Sequence, residues 1–530
     1  MKIAIAQLNF LVGDIEGNAD RIIRETNQTI ADLIIFPELA LCGYPPEDLL
    51  FRPHFYIRCD HALKKIISSV NKPIILGYPN KINNQNYNAA CFIQEGQCVV
   101  TYAKQKLPNY TVFDEMRYFT AENAPCVFDF KGIKIGIVIC EDIWHPASIA
   151  QAKHAGAELI VSINASPYDQ YQIEARENVL TKRIRENQLP IIYCNLVGGQ
   201  DELVFDGGSK VYDEKGNRCQ QAAYYQEEIM LVSIEKQNNK VVIVPQKLPE
   251  KMSFEKQLYE TLKLGVHDYI TKNHFPGVLI GLSGGIDSAL TLTIAVDAIG
   301  ADKVTALIMP SQYTAKISIE DAITEANTLG VKYEIIEIDI LLNSFLSSLS
   351  PVFKNAPTDT TEENLQARIR GMLLMALSNK YGKIVLTTGN KSELSVGYAT
   401  LYGDMAGGFA VIKDIYKTRV YRLAHYRNTI SNVIPNRVMT RAPTAELKSN
   451  QYDQDKLPPY PILDEILERY IEQDEDAAKI IAAGFNAKMV DDIIHMINAN
   501  EYKRRQAPIG IRITQRAFGK DRRYPITSGY

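Results

Sequence analysis

Short apolar runs alternate with amphipathic stretches along residues 1–245. The runs at 2–8, 32–36, 73–77, 134–140, 158–164 and 190–195 are rich in isoleucine and valine and have the length of buried strands. Between the first two, Ile22, Ile23, Thr26 and Ile30 recur at helical spacing, which predicts a helix starting near Asn18. Hairpin-like strands follow at 210–212, 229–234 and 240–244. Pro245 and Pro249, set among alternating charges, mark a linker. It is placed at 246–252, between a domain of residues 1–245 and a second of residues 253–530. The second domain opens with a helix at 253–273 and a strand at 277–280. A helix then runs to Ile299 and stops at Gly300. Further strands are expected at 303–309, 332–339 and 383–388, with helices at 319–329 and 362–381 and a polar loop at 351–361. Both halves read as α/β, the second as a doubly wound parallel sheet with its ligand at the carboxyl ends of the strands.

The strand-to-helix turn in the second half carries chemistry. Gly281, Leu282, Ser283, Gly284, Gly285, Ile286, Asp287 and Ser288 place small residues where backbone comes close to a ligand. Exposed amides at a helix start attract a phosphate or pyrophosphate. A glycine turn with a polar helix cap needs fewer such residues. The loop has no lysine of the Walker type, and a carboxylate at Asp287 suggests a metal holding the phosphates. At the end of the last predicted strand, the hydroxyl of Thr388 suits adenine or ribose, and Glu393 beside Asp287 suits Mg2+. Asn364 and Arg368 lie one helical turn apart and face either solvent or a second nucleotide.

In the first half, Glu38 and Cys140 each follow a predicted strand, and Lys104 and Lys106 lie in a loop between them. Each alone has a bland reading: a core thiol, a helix cap, a solvated charge. Together they form a complete set for carboxamide cleavage. A glutamate takes the thiol proton, the thiolate attacks, and a lysine with the N–H of Glu141 stabilises the oxyanion.

Composition narrows the field. The 530 residues exceed one core, and 46% hydrophobic with 23% charged content is ordinary for a globular chain. A net charge of −4 with no long basic tract excludes nucleic acid as an expected partner. Neither a signal peptide nor a membrane-length apolar run is seen, so a cytoplasmic location is expected. All eight cysteines fall before residue 220, none in CxxC spacing, which argues against structural zinc and for buried thiols, one of them reactive.

The SGGIDS stretch at 283–288 resembles the PP-loop of ATP pyrophosphatases, which cleave ATP to AMP and pyrophosphate while adenylating a substrate. The segments FPELALCGYP, KQKLPNYTVFDE and CEDIW resemble the nitrilase-type carbon–nitrogen hydrolases. That resemblance implies an αββα sandwich with Glu38 as general base, Cys140 as nucleophile and, three residues before Leu107, Lys104 as the oxyanion lysine. Glu115 matches a second glutamate beside that lysine, and Tyr110 and Ser166 match glutamine-binding positions; a surface charge and a turn serine are the alternatives.

With ENLQARIRG and TTGNKSELSVGYATLYGD added, the whole chain resembles the glutamine-dependent NAD+ synthetases. The resemblance implies ATP-dependent amidation of deamido-NAD+ through an adenylate, with ammonia from glutamine channelled between two sites. It implies ATP contacts at 281–288, Thr388, Lys417 and Thr444, and Mg2+ on Asp287 and Glu393. Deamido-NAD+ contacts are implied at Asn364, Arg368, Glu393 and Lys503. Leu401 stands near a lysine position of the smaller ammonia-dependent synthetases, so that contact is replaced here. A homo-oligomer is expected. The alternative is another PP-loop amidotransferase acting on a different carboxylate or nucleotide. The candidate triad contains no histidine and residue 2 is lysine, unlike the glutaminases paired with GMP or asparagine synthesis.

Overall fold

Successive side chains of β1 (Lys2–Gln7) and β2 (Leu33–Ile35) enter two different cores. Ala4, Ala6 and Ile34 face a layer of helices, whereas Ile3, Ile5, Leu33 and Ile35 face a second sheet. This is a sheet buried on both faces, as its continuous apolar runs require. The computed structural model describes residues 1–528 apart from Asn239 and Asn355. The chain divides into two units, the first Met1–Met252 and the second beginning at Ser253.

In the first unit, β3 (Ile74–Ile82), β4 (Gln85–Gln94) and β5 (Gln97–Ala103) extend the sheet on one side. On the other lie β14 (Glu228–Gln237) and β15 (Lys240–Ile243), giving the order β15-β14-β1-β2-β3-β4-β5. The second sheet contains β6 (Cys126–Phe130), β7 (Ile133–Ile139), β8 (Leu159–Asn164) and β9 (Ile191–Asn195). With β12 (Lys210–Tyr212) and β13 (Arg218–Gln221) its order is β13-β12-β9-β8-β7-β6. A separate hairpin pairs β10 (Val197–Gln200) with β11 (Leu203–Asp206). The helices α1 (Ile15–Gln28) and α2 (Pro53–Ser69) cover the first sheet through Ile15, Ile22, Phe55 and Ile66. On the second sheet, α3 (Pro146–His154) and α4 (Gln172–Asn187) bury Ile149, Leu180 and Ile184. The result is the expected αββα sandwich.

Three local expectations are corrected. The first helix starts earlier, because the Asp14 side chain caps it by accepting from Gly17 N at 3.2 Å. Ile30 lies beyond its end and is 80% exposed, so it belongs to no buried face. The strand expected at 73–77 continues to Ile82 and pairs with β4. That partner went unread because Gln85, Asn86 and Asn88 interrupt its apolar run.

The second unit has a five-stranded sheet of β16 (Val278–Gly281), β17 (Val304–Ile308), β18 (Lys332–Ile335), β19 (Ile384–Thr387) and β20 (Phe409–Ala410). All its pairings are parallel, in the order β18-β17-β16-β19-β20. The order reverses between β16 and β19, which is where a doubly wound sheet opens a crevice. The main flanking helices are α5 (Phe254–Lys272), α6 (Ile286–Ile299), α7 (Lys316–Leu329) and α9 (Thr360–Tyr381). The strand expected at 332–339 ends at Ile335, and Asp339 opens the unexpected helix α8 (Asp339–Phe353). The expected loop at 351–361 is therefore shorter, since Pro351 still lies in α8 and α9 begins at Thr360; Asn355 lies outside the described residues. Among the described residues no helix is long and apolar enough to cross a membrane.

Candidate active sites

In the first unit, three chain segments meet at buried charge. Glu38 follows β2 and has no exposed surface. A Cβ on Gly77 would lie 2.5 Å from Leu39 N and from Pro37 O, so only glycine lets β3 pass beneath the Glu38 backbone. Lys104, 1% exposed, follows β5 and donates from Nζ to Glu38 Oε1 at 2.7 Å and to Glu115 Oε1 at 2.9 Å. Asn88 Nδ2 also donates to Glu38 Oε1, at 2.7 Å, and Ala165 N donates to Oε2 at 2.8 Å. Tyr44 O–H donates to Glu115 Oε1 at 2.9 Å. Glu115 is thus part of the cluster and not a surface charge.

Cys140 is the first residue after β7 and holds φ at +43°, a conformation most side chains avoid. Burial pushes its thiol well above the ordinary value, helped by the charge of Glu38 and opposed by that of Lys104. The resting group is therefore a thiol that needs a base. Burial alone would lower Lys104, but Glu115 and Glu38 hold it firmly protonated. Two carboxylates share that one ammonium, and burial pushes Glu115 up to about 7.

Asp142 joins the two loops. Its Oδ2 accepts from Ile139 N at 2.9 Å and from the Tyr102 hydroxyl at 2.7 Å. Its Oδ1 accepts from Gln105 N at 3.0 Å and Lys106 N at 2.8 Å. The half-buried Lys106 is thus held by its backbone, while the neighbouring Lys104 side chain reaches Glu38. If Lys104 is the oxyanion lysine that the motif implies, Lys104→Met should lower carboxamide hydrolysis about a hundredfold or more, the scale of one lost oxyanion donor. Lys106→Met should retain most of it; glutamate release from glutamine measures both, and the reverse ranking would exchange their roles.

Of the other residues proposed in this unit, Tyr110 stands at the rim, 51% exposed, with its hydroxyl donating to Glu141 Oε2 at 2.9 Å. Ser166 is buried next to Ala165, with its N–H on Asn195 Oδ1 at 3.0 Å. Asn88 carried no readable signal, whereas Tyr44 lies within the FPELALCGYP segment and Asp142 within CEDIW.

In the second unit a cleft of about 530 Å³ opens at the sheet's switch point. The loop 281–288 lines it, as do Asn364, Thr388, Glu393, Lys417, Thr444 and Lys503. Arg368 is not in its wall; it is exposed and donates to Leu401 O at 3.2 Å. Arg370 lines the cleft instead, donating to Met309 O at 3.0 Å, and burial lowers its guanidinium to about 10. Asn364 accepts from the Thr400 hydroxyl at 2.8 Å, and Lys503 Nζ donates to Gly397 O at 2.8 Å and Ala399 O at 3.0 Å. These two side chains brace the loop at 397–404.

The glycines of the turn act differently from expectation. Gly284 has φ +79°, and a Cβ there would sit 2.2 Å from Ser318 O, so the constraint is α7 rather than a ligand alone. At Gly285 a Cβ would meet only Ser283 Oγ, at 3.3 Å. Gly284→Ala is expected to lower stability by about 2 kcal/mol or more, measured by chemical denaturation, because both φ and space are refused.

Lys417 links the two carboxylates proposed for a metal. Its Nζ donates to Asp287 Oδ2 and, at 3.0 Å, to Glu393 Oε1. Asn390 Nδ2 donates to Asp287 Oδ1 at 2.8 Å. Burial pushes Glu393 up to about 8, against the pull of Lys417 and with the repulsion of Asp287 and Asp453. Lys417 therefore meets Asp287, Glu393 and Asp453 in one corner of a cleft whose wall also carries Arg370, Arg441, Lys456 and Lys503. Among the described residues no set of three or more metal-ligating side chains holds an ion unaided. Two carboxylates fit Mg2+, which prefers few protein ligands with phosphate oxygens and water.

With both sites described, comparison with known proteins is decisive. The carbon–nitrogen hydrolase family model matches residues 2–240 and the NAD synthase model residues 258–507. The glutamine-dependent NAD(+) synthetase of Acinetobacter baylyi is 47% identical, covering 100% of this chain and 98% of its own. The chain belongs to the glutamine-dependent NAD(+) synthetase family. The Thermotoga maritima synthetase is 44% identical over 100% of this chain and 99% of its own. A solved Acinetobacter baumannii synthetase, in complex with ADP, is 46% identical with a TM-score of 0.81, covering 100% of this chain and 98% of that one. A Cytophaga hutchinsonii synthetase, 21% identical, shares the fold at a TM-score of 0.86 over 100% of this chain and 98% of that one.

Proposed function

We propose that Cys140, Glu38 and Lys104 hydrolyse glutamine and that the cleft at the switch point uses the released ammonia to amidate deamido-NAD+. The reading is carried by one chain holding both a buried Glu-Lys-Cys cluster and a glycine-loop cleft between parallel strands. Glu38 removes the Cys140 proton, and the thiolate attacks the glutamine carboxamide. Lys104 and the N–H of Glu141 meet the oxyanion. Ammonia leaves, and water hydrolyses the γ-glutamyl thioester to glutamate. Tyr110 and Ser166 contact the amino acid.

In the cleft, loop 281–288 cradles the ATP phosphates, with Thr388, Lys417 and Thr444 as further contacts. The ADP named for the Acinetobacter baumannii relative supports an adenine nucleotide here. Asn364, Glu393 and Lys503 contact deamido-NAD+, and the cleft-facing Arg370 is a better candidate than Arg368 for its phosphates. The nicotinate carboxylate attacks the α-phosphorus, pyrophosphate departs, and ammonia then displaces AMP. Asp287 and Glu393 would hold Mg2+, which when bound draws charge off the phosphates. The protein's own part is positioning and charge neutralisation. Incubating the protein with ATP, Mg2+, glutamine and deamido-NAD+ should yield NAD+, AMP, pyrophosphate and glutamate in equal amounts. No NAD+ under these conditions would overturn the reading.

A further inference from the structure

The chain after Ala507 lies beyond the residues matched by the NAD synthase model, yet it is built into the second unit. Lys413 Nζ donates to Pro508 O at 2.6 Å, and Ala410 N donates to Ile509 O at 2.8 Å. Gly510 pairs with Ala410, and a Cβ there would meet Ala410 O at 2.3 Å, so the segment lies directly against β20. Ile513 N and Thr514 N then donate to Asp414 Oδ2 at 2.7 and 2.6 Å. The Thr514 hydroxyl donates to Asp414 at 3.0 Å and accepts from Lys391 Nζ at 2.6 Å. The same ammonium pairs with Asp414 at 2.8 Å and Glu472 at 3.0 Å and donates to Arg516 O at 3.0 Å. Lys391, Asp414 and Thr514 are each no more than 1% exposed.

Lys391 opens the short helix α10 (Lys391–Val396), whose Glu393 lines the cleft. Asn390 donates to Asp287, and Glu393 accepts from Lys417. Ser392 Oγ accepts from Lys417 N at 2.8 Å. Residues 390–393 therefore hold the charged cluster on one side and the C-terminal segment on the other. We propose that residues 508–516 are a positioning strap for the ligase reaction, acting through Thr514 and Lys391 on the turn at 390–393. This rests on the cleft being the ATP site. A hydroxyl bridging two buried ions sets where the turn sits, and the turn sets where Lys417 and Glu393 meet the phosphates.

The test is ammonia-driven NAD+ synthesis by the full-length Thr514→Val and Thr514→Ser proteins, with the folded fraction checked by thermal unfolding. Thr514→Val should raise KM for ATP severalfold and lower kcat about tenfold, the scale of one charge-assisted hydrogen bond. Thr514→Ser keeps the hydroxyl and should stay within about twofold of the parent. A loss of kcat proportional to the folded fraction with unchanged KM would overturn the proposal, since it marks stabilisation only. Parent-like kinetics in Thr514→Val would overturn it as well. Asp287→Asn assayed in parallel separates the two levels: if it is inactive while Thr514→Val is normal, only the strap fails. If Asp287→Asn is itself normal, the assignment of the cleft fails.

Discussion

Cys140→Ala is expected to abolish NAD+ formation from glutamine and to leave formation from ammonium chloride intact. Alanine offers no sulfur for the γ-glutamyl thioester, so no ammonia is released and the glutaminase loss should be complete within the assay range. The neighbouring charges do not depend on the thiol: Lys104 stays bound to Glu38 and Glu115, and Glu38 keeps its bonds from Asn88 and Ala165 N. Removing a buried thiol should cost about 1–2 kcal/mol, which a folded domain tolerates. The residues proposed for the ligase all lie after Ile280, in the second unit. Measuring NAD+ with each nitrogen source therefore gives a clean contrast. Continued use of glutamine would make Cys140 a core thiol. Loss of both activities in a folded protein would mean that the two chemistries are not separable in this way.

Asp287→Asn should lower NAD+ formation about a hundredfold or more with either nitrogen source. The change removes one charge from the pair of carboxylates that Lys417 bridges in the cleft. A hard divalent cation would lose half of its charged protein ligands, and charge neutralisation at transferring phosphates is worth several kcal/mol. The variant should still fold, because Lys417 retains Glu393 and the loop's shape depends on Gly284 and on Ser288 Oγ donating to Gly285 O at 2.9 Å. Glutamate release measured alongside reports separately on the first unit. Near-normal synthesis with ammonia would remove Asp287 from the phosphate machinery.

Much of this molecule is legible in its sequence. Apolar runs of strand length, the stop at Gly300 and the α/β alternation identified both fold classes, because burial on two faces imposes a continuous hydrophobic pattern. Glu38, Cys140 and Asp287 were readable because each follows a strand end, where loops leave the sheet. Less was legible where local sequence and environment disagree. The polar residues of β4 read as a loop, yet Asn88 is there because its amide holds Glu38 from the neighbouring segment. Helix α8 was hidden because Ile336, Ile338 and Ile340 alternate with Glu337 and Asp339, which prolongs a strand-like pattern past the end of β18 into the first turn of the helix.

Residue identity along the chain thus singled out the candidate groups for the chemistry, and the kind of junction at which they stand. Only the tertiary structure decided which of them share a charge. Lys104 was favoured over Lys106 by its motif spacing. That its one ammonium joins Glu38 and Glu115, while Asp142 pins the backbone of Gln105 and Lys106, is a product of the fold. Arg370 rather than Arg368 faces the cleft, although both lie on the same helix. Thr514 meets Lys391 across 123 residues of chain. Such pairings follow from packing over long sequence separations, where buried ions must find partners wherever the fold brings them, and no local pattern encodes that.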